Sequence, residues 1–249
     1  MEEDLQTRFH NELASLHKMR MDDYVFDFLL QMQNRVLTNP LDKVAGLIYL
    51  FYPKFIPIYD AVQSEEDAWT ILVNMMRVRS RADLLFTYPE PGNGRKCWRP
   101  SWEQAMTKTL PSHAQVERLG EVNRLDTTDG DLYIGPYIDS GHVRGFAEEY
   151  NKGKCRQGEL MIEDNTRTLH SFKIFKDHPY SIPDGSYTLI SNGGGGHPSL
   201  NIFMKYWVTR QQRQDGQFEK VSVFSMVDPE ERERLQKLGV VKHRISRLC

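Results

Sequence analysis

The sequence predicts an α+β protein: an N-terminal helical segment followed by an antiparallel β sandwich or small barrel with a C-terminal helix. Apolar residues recur at helical spacing up to about residue 110, and from about Val116 the period shortens towards two. Turn pairs then punctuate the chain at Asp129-Gly130, Lys152-Gly153, Asp164-Asn165, Asp184-Gly185 and Asp215-Gly216. The change of pattern divides the chain into a helical domain, residues 1–112, and a β-rich domain with the C-terminal helix, residues 113–249.

Each element has a local reason. Leu5, Phe9, Leu13 and Leu16 mark a first amphipathic helix. A second, capped by Asp22 or Asp23, runs from Tyr24 to Leu37 with Phe28, Leu29 and Met32 on its apolar face. Asn39-Pro40 starts a third over Leu41 to Phe51, because the Asn side chain takes an orphan amide and Pro has no donor to lose. Ser64-Glu65-Glu66-Asp67 has the spacing of a capping box for a fourth helix running to about Val78, its acids at the positive end of the dipole and Arg77, Arg79 and Arg81 at its C-terminus. Ser101-Trp102-Glu103-Gln104 starts a short fifth after the turn-rich stretch Pro89 to Gly94.

Among the strands, Leu160 and Ile162 alternate with Glu159 and Glu163. His170, Phe172 and Ile174 share one face, as do Leu200, Ile202, Met204, Tyr206 and Val208. Phe218 to Val227 reads as the last strand. Asp228-Pro229-Glu230-Glu231 then caps a helix that Gly239 ends, and a basic tail follows with Lys242, His243, Arg244 and Arg247.

Composition narrows the function. The 249 residues are 39% hydrophobic and 27% charged, which is ordinary globular composition. Thirty-two Lys and Arg against 34 Asp and Glu leave a net charge of -2, so no positive excess favours nucleic acid. The acidic start Met1-Glu2-Glu3-Asp4 is unlike a secretory signal, and the apolar run Val44 to Tyr52 is about half the ~20 residues a membrane span needs, so the expected location is cytoplasmic, with no membrane partner. Cys97, Cys155 and Cys249 lie far apart without a CxxC, which suggests neither a disulfide framework nor a cysteine zinc site, and Cys249 lacks the three following residues of a prenylation box.

No motif with a defined mechanism is present, so the candidates are single residues. His170, on an apolar strand face, could do acid–base work with Glu159 or Tyr187, though a histidine in such a place is more often a hydrogen-bonded core residue. His142, His178 and His197 lack the HxH or HExxH spacing of a metal site, and no metal or cofactor is expected. The run Asn192 to His197, with Gly194, Gly195 and His197, allows the close backbone approach of a phosphate loop, but a strand pattern follows it where a helix would be needed. Asp126, Asp129 and Asp131 read as a turn rather than a calcium loop. Tyr133, Tyr137, Phe203 and Trp207 read as packing residues.

Several segments carry a family resemblance. These are Asp42-Lys43-Val44-Ala45-Gly46-Leu47, Ile58-Tyr59-Asp60, Ser64 to Trp69, Arg81-Ala82-Asp83-Leu84-Leu85-Phe86 and Trp98-Arg99-Pro100-Ser101-Trp102, followed by Val143 to Glu148, Gly158-Glu159-Leu160 and Glu219 to Phe224. From about residue 35 onward the chain resembles fungal heterokaryon-incompatibility proteins of the HET-domain family, in the form found in mushroom-forming fungi, over the region after their signalling core. The core's own Trp-containing motifs are missing here, so the resemblance implies cytosolic self/non-self recognition or defence and transfers no catalytic residue. The expected function is therefore a non-enzymatic interaction module with a protein partner, compatible with self-association. The alternative is an enzyme that binds a small molecule in a cavity of the β-domain or between the domains, using histidine, tyrosine and glutamate side chains.

Overall fold

The computed structural model describes residues 24–36, 41–51, 62–111, 120–125, 130–148, 155–192, 204–211 and 217–249. The expected first helix, the Asn39-Pro40 start, Asp126, Asp129, the turns at 152–153 and 215–216, and Gly194, Gly195 and His197 lie outside these residues. The helices are α1 Val25–Gln33, α2 Leu41–Phe51, α3 Glu65–Met75, α4 Val78–Phe86, α5 Trp102–Thr107 and α6 Pro229–Lys237. The strands are β1 Glu121–Leu125, β2 Gly130–Arg144, β3 Arg156–Glu163, β4 Leu169–Lys176, β5 Gly185–Ser191, β6 Met204–Gln211, β7 Gln217–Met226 and β8 Lys242–Leu248. The protein is α+β, as the change of period predicts.

Strand β2 organises the sheet. Its second half pairs antiparallel with β3 on one side and β5 on the other. The order β2-β3-β4-β7-β6-β5 thus returns to β2 and closes a barrel. Its first half extends beyond the barrel, with β1 along one edge and β8 along the other. Closure leaves few open edges, which is how an antiparallel sheet avoids pairing with other chains. Inward-facing Leu160, Ile162, Phe172, Ile174, Leu189 and Phe224 fill the barrel, and Leu235 of α6 joins that cluster. The helices build a second cluster that runs without a break into Val122, Tyr133, Ile190, Phe218, Val223 and Leu248 of the strands.

Local signals that the sequence displays are realised. Ser64 accepts from the Asp67 amide at 3.1 Å to cap α3, and Ser101 and Gln104 form a reciprocal capping box on α5. Asp228 caps α6, Pro229 takes its first position, and Gly239 follows its end with φ +66.

Four expectations are corrected. The fourth helix does not run to Val78: Met76 and Arg77 are extended and α4 starts afresh. An unbroken helix would carry the buried stripe Ala68, Leu72, Met76 on to Arg79, Ser80 and Asp83. The break resets the phase so that Arg81, Ala82, Leu84 and Leu85 turn inward instead. The arginine cluster therefore opens a helix rather than closing one. Asp131 is no turn residue but a buried position of β2. The basic tail is strand β8, antiparallel to β2 and parallel to the start of β7, so β7 is not the last strand. The second helix lacks a side-chain cap and ends at Gln33. The amide of Val25, in its first turn, instead meets the carboxylate of Asp83 from α4.

Buried polar side chains dock the helices on the sheet. Arg81 pairs with Asp131, which also accepts from Trp98 Nε1 at 3.0 Å and faces Lys96 Nζ at 3.3 Å. Trp69 Nε1 donates to the Pro100 carbonyl at 3.0 Å, and the Arg99 guanidinium lies over the Trp69 ring. From the other side Lys220 of β7 donates to the carbonyls of Leu85 and Tyr88 at 2.8 and 2.6 Å, and Ser222 to that of Pro89 at 2.8 Å. The Lys220 amine answers the missing partners of the last carbonyls of α4, and its complete burial lowers its pKa well below the ordinary lysine value.

Candidate functional site

The pleat separates the residues that the sequence offered for catalysis. Register pairs Leu160 with Phe172 and Ile162 with His170, so His170 lies on the barrel-facing side of β4 while Glu159, on β3, lies on the other. Glu159 is taken by Arg144 and Ser171, whose hydrogen bonds, Ser171 first, hold its carboxyl below the usual range. Tyr187 donates to the Pro183 carbonyl at 2.7 Å. The partner of His170 is neither of these but Asp164, at 2.8 Å from Nε2. That carboxylate also accepts from Thr166 and Thr168, and the Thr166 hydroxyl, then His170, hold it well below the ordinary carboxylate range. The Asp164–His170 pair pins the β3–β4 hairpin. The sequence marks Asp164 only as a turn residue, and it is the hairpin that brings it, six residues away, against His170.

His142 sits elsewhere, in a groove of about 440 Å³ on the barrel wall together with Met161, Glu163, Ser186 and Lys242. Its Nδ1 is 3.3 Å from Ser186 Oγ. A nucleophilic serine would need a carboxylate to orient the ring, and among the described residues none is hydrogen-bonded to His142. Asp139 in the same groove is held by Lys242 at 2.6 Å. His178 donates from Nε2 to the Val223 carbonyl at 2.6 Å and serves the interior. Among the described residues no group of three His, Cys, Asp or Glu side chains converges as a metal site, and no helix is long and apolar enough to cross a membrane.

The surface that stands out is one face of β1-β2-β8. Register places Ile134 opposite Ile245 on one side and Glu121 on the other, and Leu132 opposite Arg247. Alternate residues Val122, Tyr133 and Ser246 are buried towards the helices. Ile134 and Ile245 therefore point away from them, and they are 55% and 58% exposed. Pro136, opposite His243, and Leu132 extend the apolar strip along β2. Arg247 and His243 flank it on the β8 side and Glu121 on the β1 side. Ile134 and Ile245 are thus two neighbouring branched side chains left in water on one strand face. The sequence pattern does not display this face, because residues 242–249 read there as a basic tail.

The fold and these surfaces define an α+β protein whose helical layer is docked on one end of a closed antiparallel barrel, with an apolar strand face turned outward. Compared with family models, curated proteins and solved structures, the chain matches none of them.

Proposed function

We propose that the protein is a non-enzymatic interaction module of the cytoplasm, related to fungal heterokaryon-incompatibility proteins and serving self/non-self recognition or defence, and that it works by self-association through the β1-β2-β8 face. The observation that carries the reading is the exposed cross-strand pair Ile134 and Ile245. Charge selects a second copy of the chain as the occupant. A two-fold axis along β2 sets Ile134 against its own copy and brings Glu121 of each chain over the β8 strand of the other, between Arg247 and His243. The engagement of Glu159, Tyr187 and His170 by hairpin and wall contacts supports a structural role for those side chains.

Sedimentation velocity over a concentration series tests the proposal. The expected result is a monomer–dimer equilibrium that Ile134→Glu and Ile245→Glu each abolish while the melting temperature is unchanged. A chain that stays monomeric throughout, or a dimer that ignores both substitutions, overturns it.

A second reading rests on the groove with the His142–Ser186 contact, which would take a small polar ligand between the imidazole and Lys242. Retained ligand in native mass spectrometry, lost in His142→Ala, would favour it.

A further inference from the structure

Two cysteines far apart in sequence meet at the junction of the helical layer and the sheet. The sulfurs of Cys97 and Cys249 are 3.7 Å apart. Both are held by their backbones. The Cys97 carbonyl accepts from Gly92 at 2.8 Å, the next amide, of Trp98, donates to the Cys249 carbonyl at 3.0 Å, and the Cys249 amide donates to Phe218 on β7 at 3.1 Å. The two thiols thus face each other across fixed backbones, and both side chains are partly open to solvent. Sulfur-to-sulfur bonding needs a separation of about 2.05 Å, so the two side chains must turn towards each other to close the remaining gap.

We infer that Cys97 and Cys249 form a redox modification site that closes to a disulfide when the protein meets a low-molecular-mass disulfide such as oxidised glutathione. One cysteine, as its thiolate, attacks a sulfur of the small disulfide, forming a mixed disulfide and expelling one small thiolate. The second cysteine loses its proton and attacks the protein sulfur of that mixed disulfide, forming the Cys97–Cys249 bond and expelling the other small thiolate. The two protons lost by the cysteines end on the two small thiols, so the protein is oxidised by two electrons and the small disulfide reduced by two.

The bond would tie the Trp98 segment, whose indole reaches Asp131, to the end of the strand that carries Ile245 and Arg247. Burial, and then the neighbouring Cys249, push the Cys97 thiol up to about 11, so the exchange is slow at neutral pH and quickens as pH rises. Cys155 is exposed and serves as an internal control.

The test is to incubate the full chain with oxidised glutathione, digest it without reduction and map the sulfur links. The expected product is lighter by two hydrogen atoms, with one cross-linked peptide pair joining Cys97 to Cys249, absent in Cys97→Ser and in Cys249→Ser and kept in Cys155→Ser. Its melting temperature exceeds that of the reduced chain by several degrees, and reduction reverses the shift. Glutathione adducts that persist on Cys97 and Cys249 without resolving, or a link to Cys155, overturn the inference, as does an unmodified pair after prolonged exposure at pH 9. Because the sulfur map does not depend on self-association, the result stands apart from the fate of the strand-face proposal.

Discussion

Arg81 of α4 and Asp131 of β2 form an ion pair sealed between the helical layer and the sheet, their side chains 2% and 3% exposed. The pair sits where the arginine would otherwise be unfavourable, inside the first turn of a helix that has no acid there. Asp131 compensates from the sheet, and the Trp98 ring lies 5.5 Å from the guanidinium.

Removing Arg81 strips the buried Asp131 carboxylate of its closest counter-charge and leaves it only the more exposed Lys96 amine at 3.3 Å. Arg81→Met is expected to cost about 3–5 kcal/mol in urea unfolding. Adding Asp131→Asn removes the stranded carboxylate while keeping an acceptor for the Trp98 indole, so the double variant should be more stable than Arg81→Met alone. A double variant as unstable as the sum of its singles would show that the two residues act independently.

Asp83 sets a pH dependence. Burial raises its carboxyl from 3.8 to about 7, against the opposing hydrogen bond from the Val25 amide. The folded state therefore holds a proton that the unfolded chain gives up at lower pH. Between about pH 4 and pH 7 folding binds more protons than unfolding, and stability falls as pH rises, by at most about 4 kcal/mol from this group. Above pH 7 the loss is complete. Asp83→Asn should flatten this slope in melts taken across the range, and an unchanged slope would assign it to other groups.

Tyr133 is wedged between two glycines. A Cβ on Gly135 would lie 2.2 Å from its hydroxyl, and one on Gly120 2.6 Å from its ring. The ring is fixed because its hydroxyl donates to the Ser191 carbonyl at 2.5 Å and its edge meets Phe86. Gly135→Ala should destabilise by about 1–3 kcal/mol through displacement of that ring. Combining it with Tyr133→Leu, which removes the ring, should make the alanine nearly neutral in the same unfolding measurement.

What was legible in the sequence was local. The caps of α3, α5 and α6, the Gly239 stop, the run of α2 from Leu41 to Phe51, and the alternation that turns Phe172 and Ile174 inward each depend on residues within a turn or a few strand positions of one another. Side-chain and backbone physics over such distances is nearly independent of the rest of the chain, and the α+β class is their sum. The tertiary structure alone decided the restart of the helix at Val78, the strand at Lys242–Leu248, the opposite sides taken by Glu159 and His170, and the meeting of Arg81 with Asp131 and of Cys97 with Cys249. A sequence of mixed polarity such as Lys-His-Arg-Ile-Ser-Arg-Leu becomes a strand only because barrel closure leaves a hydrogen-bonding edge of β2 beside it, and a buried charge is tolerable only where the fold brings its partner.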